Sequence, residues 1–197
     1  MKQLLIILSL LLYSFSAFGQ EEQKGAFVSD STWLKEIIKF PIDFAPNISY
    51  KGYEDLKFAK NWRNKDHNDF WCYTFVWHIN SNEKQTAKIL ETHIKLYYDG
   101  LMGVVNKKKD YKVPETTVLF IKNEKNNTNT DNFIGKLHVY DSFNTEAMML
   151  LNARVKVLYC DITKTSAIVF RLSPQDFNHE IWERFKTIKL RDDICEF

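Results

Sequence analysis

Four short stretches of the chain bring chemically capable side chains together. Asp66-His67-Asn68-Asp69 sets an imidazole between carboxylates, the residue types of a general base or a metal ligand. Neighbours on an extended chain point to opposite sides, so these groups do not converge by spacing alone, and a solvated turn is expected. His179 and Glu183 stand four apart and would share a helix face, as helical metal ligands do. The local sequence HEIWE lacks the second histidine of H-E-x-x-H, so a surface pair is expected. His138 to Ser142 (HVYDS) holds the residue types of a hydrolase triad, but triads assemble from separate segments and G-x-S-x-G is absent. Lys107-Lys108-Lys109, with Tyr111 and Lys112, suits a phosphate or an acidic glycan, and equally a solvated loop that offsets a helix dipole. His78 and His93 read as core-edge residues. No catalytic residue, metal or cofactor is expected from these stretches.

The aromatic residues make a stronger case. Thirteen lie between Phe27 and Trp77, half of all those that follow the first nineteen residues. Each ring buries a large area, and Trp and Tyr keep a polar handle, so core packing takes most of them. A surplus would form an apolar pocket or a stacking surface. Trp33 (DSTWLKE) and Trp62 (AKNWRNK) sit in charged, irregular surroundings, and Tyr50 and Tyr53 flank Gly52. Trp33, Trp62, Tyr50 and Tyr53 are therefore the candidate binding residues, with at least one of the two tryptophans partly exposed.

These side chains must be held by elements that the hydropathy pattern places. Phe70–Ile79 alternates as a strand, with Trp71, Tyr73, Phe75, Trp77 and Ile79 on one face. Lys84–Met102 changes to helical spacing through Ala87, Leu90, Ile94, Tyr98 and Leu101, with Gly103 as its stop. Thr116–Ile121, Phe133–Tyr140, Met149–Cys160 and Ala167–Leu172 read as strands, the third with Asn152, Arg154 and Lys156 on a wetter face. Lys122–Asn132 is a polar hairpin loop. Ser173 as N-cap, Pro174 at the first position and Asp176 predict a terminal helix carrying Phe177, Ile181, Phe185 and Ile188 inward. Pro41, Pro46 and Gly52 break Trp33–Trp62 into short extended pieces, FPIDF and EDLKFA.

The first nineteen residues read as a signal peptide: Lys2, the apolar run Leu4–Leu12 and the small-x-small site Ala17-Phe18-Gly19. The apolar run is shorter than the ~20 residues that span a bilayer, and no cysteine lies near the site. The expectation is an exported chain, periplasmic or extracellular, that starts near Gln20 and keeps no stable membrane anchor. Export leaves Cys72, Cys160 and Cys195 as an odd set, with unpaired structural thiols expected first and a Cys160–Cys195 bridge second.

Lys+Arg at 27 against Asp+Glu at 25 removes any overall polybasic attraction to nucleic acid. Six glycines and no G-x-G-x-x-G or G-x-x-x-x-G-K-[ST] remove the common nucleotide motifs. FPIDFAPNISYKGYEDLKFAKNW followed by FWCYTFVW resembles short secreted proteins of Bacteroidetes-type bacteria, a likeness that implies no activity. From Phe133 onward, strand, long strand, strand and then SPQDFNHEIWERFKTIKL is similar to the PsbP-like α+β sandwich. That resemblance implies fold alone, and the Pro-bearing segment before Phe70 departs from it. The expected fold is thus α+β, an antiparallel sheet of about five or more strands with two main helices in the order β-α-β-β-β-β-α. Residues 1–19 are the signal peptide, 20–31 a flexible leader and 32–197 a single domain. The first functional expectation is a non-catalytic accessory or interaction module whose partner is a protein or small ligand. The second is a pocket for a small apolar or glycan ligand, and the third a hydrolase with a spatially assembled site.

Overall fold

The computed structural model describes residues 24–108, 110–123 and 129–196. The expected signal peptide, the start of the leader, Lys109 and the middle of the Asn-rich linker lie outside the described residues. Strands β1 (Phe27–Val28), β2 (Trp33–Phe40), β3 (Gly52–Ala59) and β4 (Tyr73–Ile79) precede helix α1 (Ala87–Val105). Then come β5 (Thr117–Lys122), β6 (Thr130–Asp141), β7 (Ala147–Cys160) and β8 (Thr165–Ser173). The one-turn helix α2 (Ile181–Arg184), a 3-10 turn over Phe185–Thr187 and β9 (Lys189–Leu190) close the chain.

Strands β2 to β8 form one antiparallel sheet in the order β2-β3-β4-β8-β7-β6-β5, and β1 pairs with β9 in a separate ribbon. The fold is α+β with an antiparallel sheet, as the alternation implies, but three strands precede the aromatic strand where the expected order has none. WLKEIIKF forms the edge strand β2, whose partner β3 starts where Gly52, at φ 130, brings its backbone against the His78 carbonyl.

Each face of the sheet packs its own core. Leu56 on β3, Phe75 and Trp77 on β4, and Phe170 on β8 meet Leu90, Ile94, Tyr97 and Tyr98 of α1 on the helix side. Thr86 caps α1, its Oγ1 accepting the Ile89 N–H at 3.2 Å. The helix continues through Gly103 and ends at Asn106, whose side chain donates to the Met102 carbonyl at 2.7 Å. On the outer face, Cys72, Val76 and Val169 meet Phe27, Trp33, Ile181, Trp182, Phe185 and Ile188 from the two ends of the chain. Residues 24–31 of the expected leader are docked there: Phe27 is buried, and its N–H donates to Asp55 Oδ2 at 2.9 Å.

Two local expectations fail. Ser173 does not start a helix: it ends β8, and its Oγ accepts the Gln175 N–H at 3.0 Å in a local turn. Only one turn of α-helix and a 3-10 turn form later, and Ile181, Trp182, Phe185 and Ile188 still face the outer core. Unpaired thiols were the first expectation for the cysteines, yet Cys160 and Cys195 are bonded, with Cα atoms 5.2 Å apart, and only Cys72 is a free thiol. The bridge ties the end of β7 to the C-terminal segment that covers the outer face.

Candidate functional site

Residues 60–72 join β3 to β4 through consecutive tight turns. Trp62 N–H donates to Ala59, Asn64 to Asn61, His67 to Asn64, Phe70 to His67 and Cys72 to Asp69, all at 2.9–3.0 Å. The Trp71 N–H closes back on the Trp62 carbonyl at 2.9 Å. Trp71 has a φ of 50°, a left-handed conformation rare for a bulky residue, and its ring is only 2% exposed. The loop thereby presents Trp62 outward and Trp71 inward from one short segment.

A second loop meets it. The Asp141 carboxylate accepts N–H bonds from Phe143, Asn144 and Thr145 at 2.9–3.2 Å, an Asx-type arrangement that fixes the β6–β7 turn and aims Phe143. Phe143 lies edge-on to Trp62 at 6.0 Å, and Trp62 stacks on Phe58 at 4.8 Å. Phe58 in turn stacks on Tyr73 at 5.6 Å. Phe44, from the loop after β2, stands edge-on to Tyr97 at 5.1 Å. That loop crosses α1 at Gly100, where any Cβ would collide with the Phe44 carbonyl oxygen.

These residues surround a cavity of about 420 Å³, within the usual range of ligand pockets. Leu56, Trp71, Tyr73, Tyr97 and Tyr98 give it buried walls, and Phe44, Phe58, Trp62, Leu101 and Phe143 are half-buried around it. Three charged side chains line it, Lys35, Glu36 and Arg63. The Arg63 guanidinium lies over the Trp62 and Phe143 rings at 5.1 and 5.6 Å. The Tyr73 and Tyr98 hydroxyls share a hydrogen bond in the wall. Burial raises the Tyr73 and Tyr97 phenols well above their ordinary value, so both stay protonated and neutral.

Glu54 lies behind this wall and does not line the cavity. It is fully buried, and neither carboxyl oxygen has a hydrogen bond. Burial pushes its pKa up to about 8. Trp77 Nε1 and the Tyr97 hydroxyl approach and pull the value partly back, without completing a bond of normal geometry. At neutral pH the carboxyl is mostly protonated.

The four candidate binding residues separate. Trp62 is half-buried and lines the cavity. Tyr50 packs between Phe40, Trp77 and His93 and bonds to Gln85 at 3.1 Å, away from the cavity. Trp33 and Tyr53 are on the opposite face, 7% and 5% exposed, because alternation along β2 and β3 turns them into the outer core. Phe58, Phe143, Arg63 and Glu54 complete the region without having been singled out in the sequence. Phe143 had a readable signal in DSFNT, where an aspartate heads a polar turn.

In three of the four chemical stretches the side chains are held in local contacts or exposed. His67 Nδ1 accepts the Asp69 N–H at 3.0 Å, and Asp69 pairs with Arg184. His138 is exposed, Asp141 holds its turn, and Ser142 bonds to Asn106. His179 Nδ1 accepts the Ile181 N–H at 3.2 Å, while Glu183 pairs with Lys186 at 2.6 Å. Among the described residues no three His, Cys, Asp or Glu side chains group as a metal site, and no helix is long and apolar enough to cross a membrane. Compared with protein-family models, curated proteins and solved structures, the chain matches none.

Proposed function

We propose that this chain is an exported accessory module that works by binding, and that its ligand is a small, largely apolar molecule held in the aromatic cavity. The observation that carries this reading is the stack Trp62–Phe58–Tyr73, faced by Phe143 and Trp71, around about 420 Å³ of open space. Aromatic walls bind through apolar area and ring contacts, and the Tyr hydroxyls and the charged lining orient one polar group of a ligand. The Cys160–Cys195 bridge supports export, since such bonds persist in oxidising compartments.

Titration with neutral aromatic fragments, followed by two-dimensional NMR, tests the reading. The expected shifts cluster on Trp62, Leu101 and Phe143, and Trp62→Ala weakens binding at least ~10-fold, as loss of an aromatic anchor does. Shifts scattered over the surface, or binding unchanged by Trp62→Ala, contradict it.

A further inference from the structure

The outer face of the sheet carries a second cavity, of about 610 Å³, between β7, β8 and the C-terminal segment. Arg154, Lys156, Arg171, Lys186, Lys189 and Arg191 line it, against the lone carboxylate Asp192. Two of these cations are matched, Lys186 by Glu183 and Arg191 by Asp193. Arg154 and Arg171 are not: among the described residues neither has a carboxylate within ion-pair distance.

Their placement makes this costly. Arg154 on β7 stands directly opposite Arg171 on β8, and like charges at that position destabilise a sheet. Arg171 is mostly buried, with only long bonds of 3.4 Å to the Phe185 and Ile188 carbonyls. Desolvation, with the Arg154 charge beside it, holds its pKa below the ordinary arginine value. Arg154 lies over the Phe177 and Trp182 rings, 5.1 Å from each. Trp182 is itself fixed, its Nε1 donating to the Asp176 carbonyl at 2.9 Å. The rings hold the guanidinium without accepting its N–H groups, which have no hydrogen-bond acceptor among the described residues.

We propose that this groove is an oxyanion site, in which a phosphate or sulfate group sits between Arg154 and Arg171. A tetrahedral dianion offers oxygens to both planar forks and turns a repulsive pair into two attractive ones. The site is on the face opposite the aromatic cavity and is independent of the function proposed for that cavity. Phosphate and sulfate share this chemistry, and the test separates them.

Thermal unfolding and calorimetric titration of the oxidised protein at pH 7.5, with inorganic phosphate, sulfate and chloride at matched ionic strength, decide the matter. Phosphate or sulfate is expected to raise Tm saturably over chloride, by about 5–10 °C at a hundred-fold excess over Kd. The stronger response identifies the preferred oxyanion, and equal responses assign the site to either one. Arg154→Gln and Arg171→Gln should each weaken binding at least ~10-fold, while Arg154→Gln alone leaves the ligand-free Tm unchanged or higher because the repulsion is gone. Should Arg171→Gln fail to fold, Arg154→Gln decides alone. A Tm response equal to that of chloride, or binding undiminished by Arg154→Gln, overturns the proposal.

Discussion

Glu54 and Asp55 are adjacent on β3, both fully buried, and they end in opposite circumstances. Asp55 faces the outer side, where Lys57 pairs with it and the Phe27 N–H donates to it. Glu54 faces the helix side, where neither oxygen has a hydrogen bond and burial keeps the carboxyl protonated. One step along a strand therefore crosses between two kinds of interior. Around Glu54 the helix side is built from aromatic rings on β4 and α1, and the cavity left open nearby is walled by aromatic and aliphatic side chains with Lys35, Glu36 and Arg63 in its lining. The outer side is closed late, by the two ends of the chain, and is held by ion pairs, a disulfide and cations over a sheet. A buried carboxylate is costly unless paired: on the helix side Asp131 has Lys122 and the Tyr159 hydroxyl, whereas Glu54 among the rings has no such partner. The two cavities follow suit, one aromatic and one basic.

The largest effect expected from breaking this contrast is on the helix side. Trp77 is fully buried against Phe40, Phe75, Tyr97 and Phe170. Trp77→Ala should cost about 3–5 kcal/mol in urea denaturation, a large part of the stability of a domain this size. Next comes the charge rule itself. With a native pKa of about 8 against an ordinary 4.5, Glu54 holds its proton more tightly in the folded chain. Its contribution is complete below pH 4.5 and is lost as pH rises to about 8. Urea denaturation across that window should show stability falling by about 3–4 kcal/mol from this group, and Glu54→Gln should flatten the fall. A profile identical in both proteins would contradict a protonated Glu54.

Opening the outer side should cost somewhat less. The disulfide spans 35 residues, and replacing Cys160 and Cys195 together by Ser should lower stability by about 2–4 kcal/mol. Binding in the aromatic cavity should survive where the double variant remains folded, since the bridge is on the other face. The smallest change in stability belongs to Trp62→Ala, about 1 kcal/mol or less by thermal unfolding, because the ring is half-exposed in a loop.

Part of the fold is legible in the sequence, while the contrast between the two faces is not, for physical reasons. Alternation in β6 and β7 and the stripe Leu90, Ile94, Tyr98 declare themselves because each buries one regular face, and β8 declares itself as an apolar run buried on both faces. WLKEIIKF was obscured because an edge strand carries charges on both faces, and its burial is decided by β3. Ser173, Pro174 and Asp176 match a helix start, yet pairing of Ser173 with Asn152 on β7 holds it extended. Tertiary pairing overrides a local signal there. Trp33 and Trp62 have similarly charged neighbours, but only the sheet register sends one into the outer core while the loop holds the other at the cavity. The basic groove draws on β7, β8 and the C-terminal segment, so the Lys107–Lys112 run stood out in its place.

The central claim, a ligand cavity on the helix side, is tested most directly by filling it. Leu101 lines the cavity from α1 and is half-buried, so Leu101→Trp can occupy the space without displacing the core. Fluorescence titration with the neutral probe N-phenyl-1-naphthylamine should show saturable one-to-one binding to the native protein, lost in Leu101→Trp at unchanged Tm. Equal binding to both proteins would place the probe elsewhere and contradict the account.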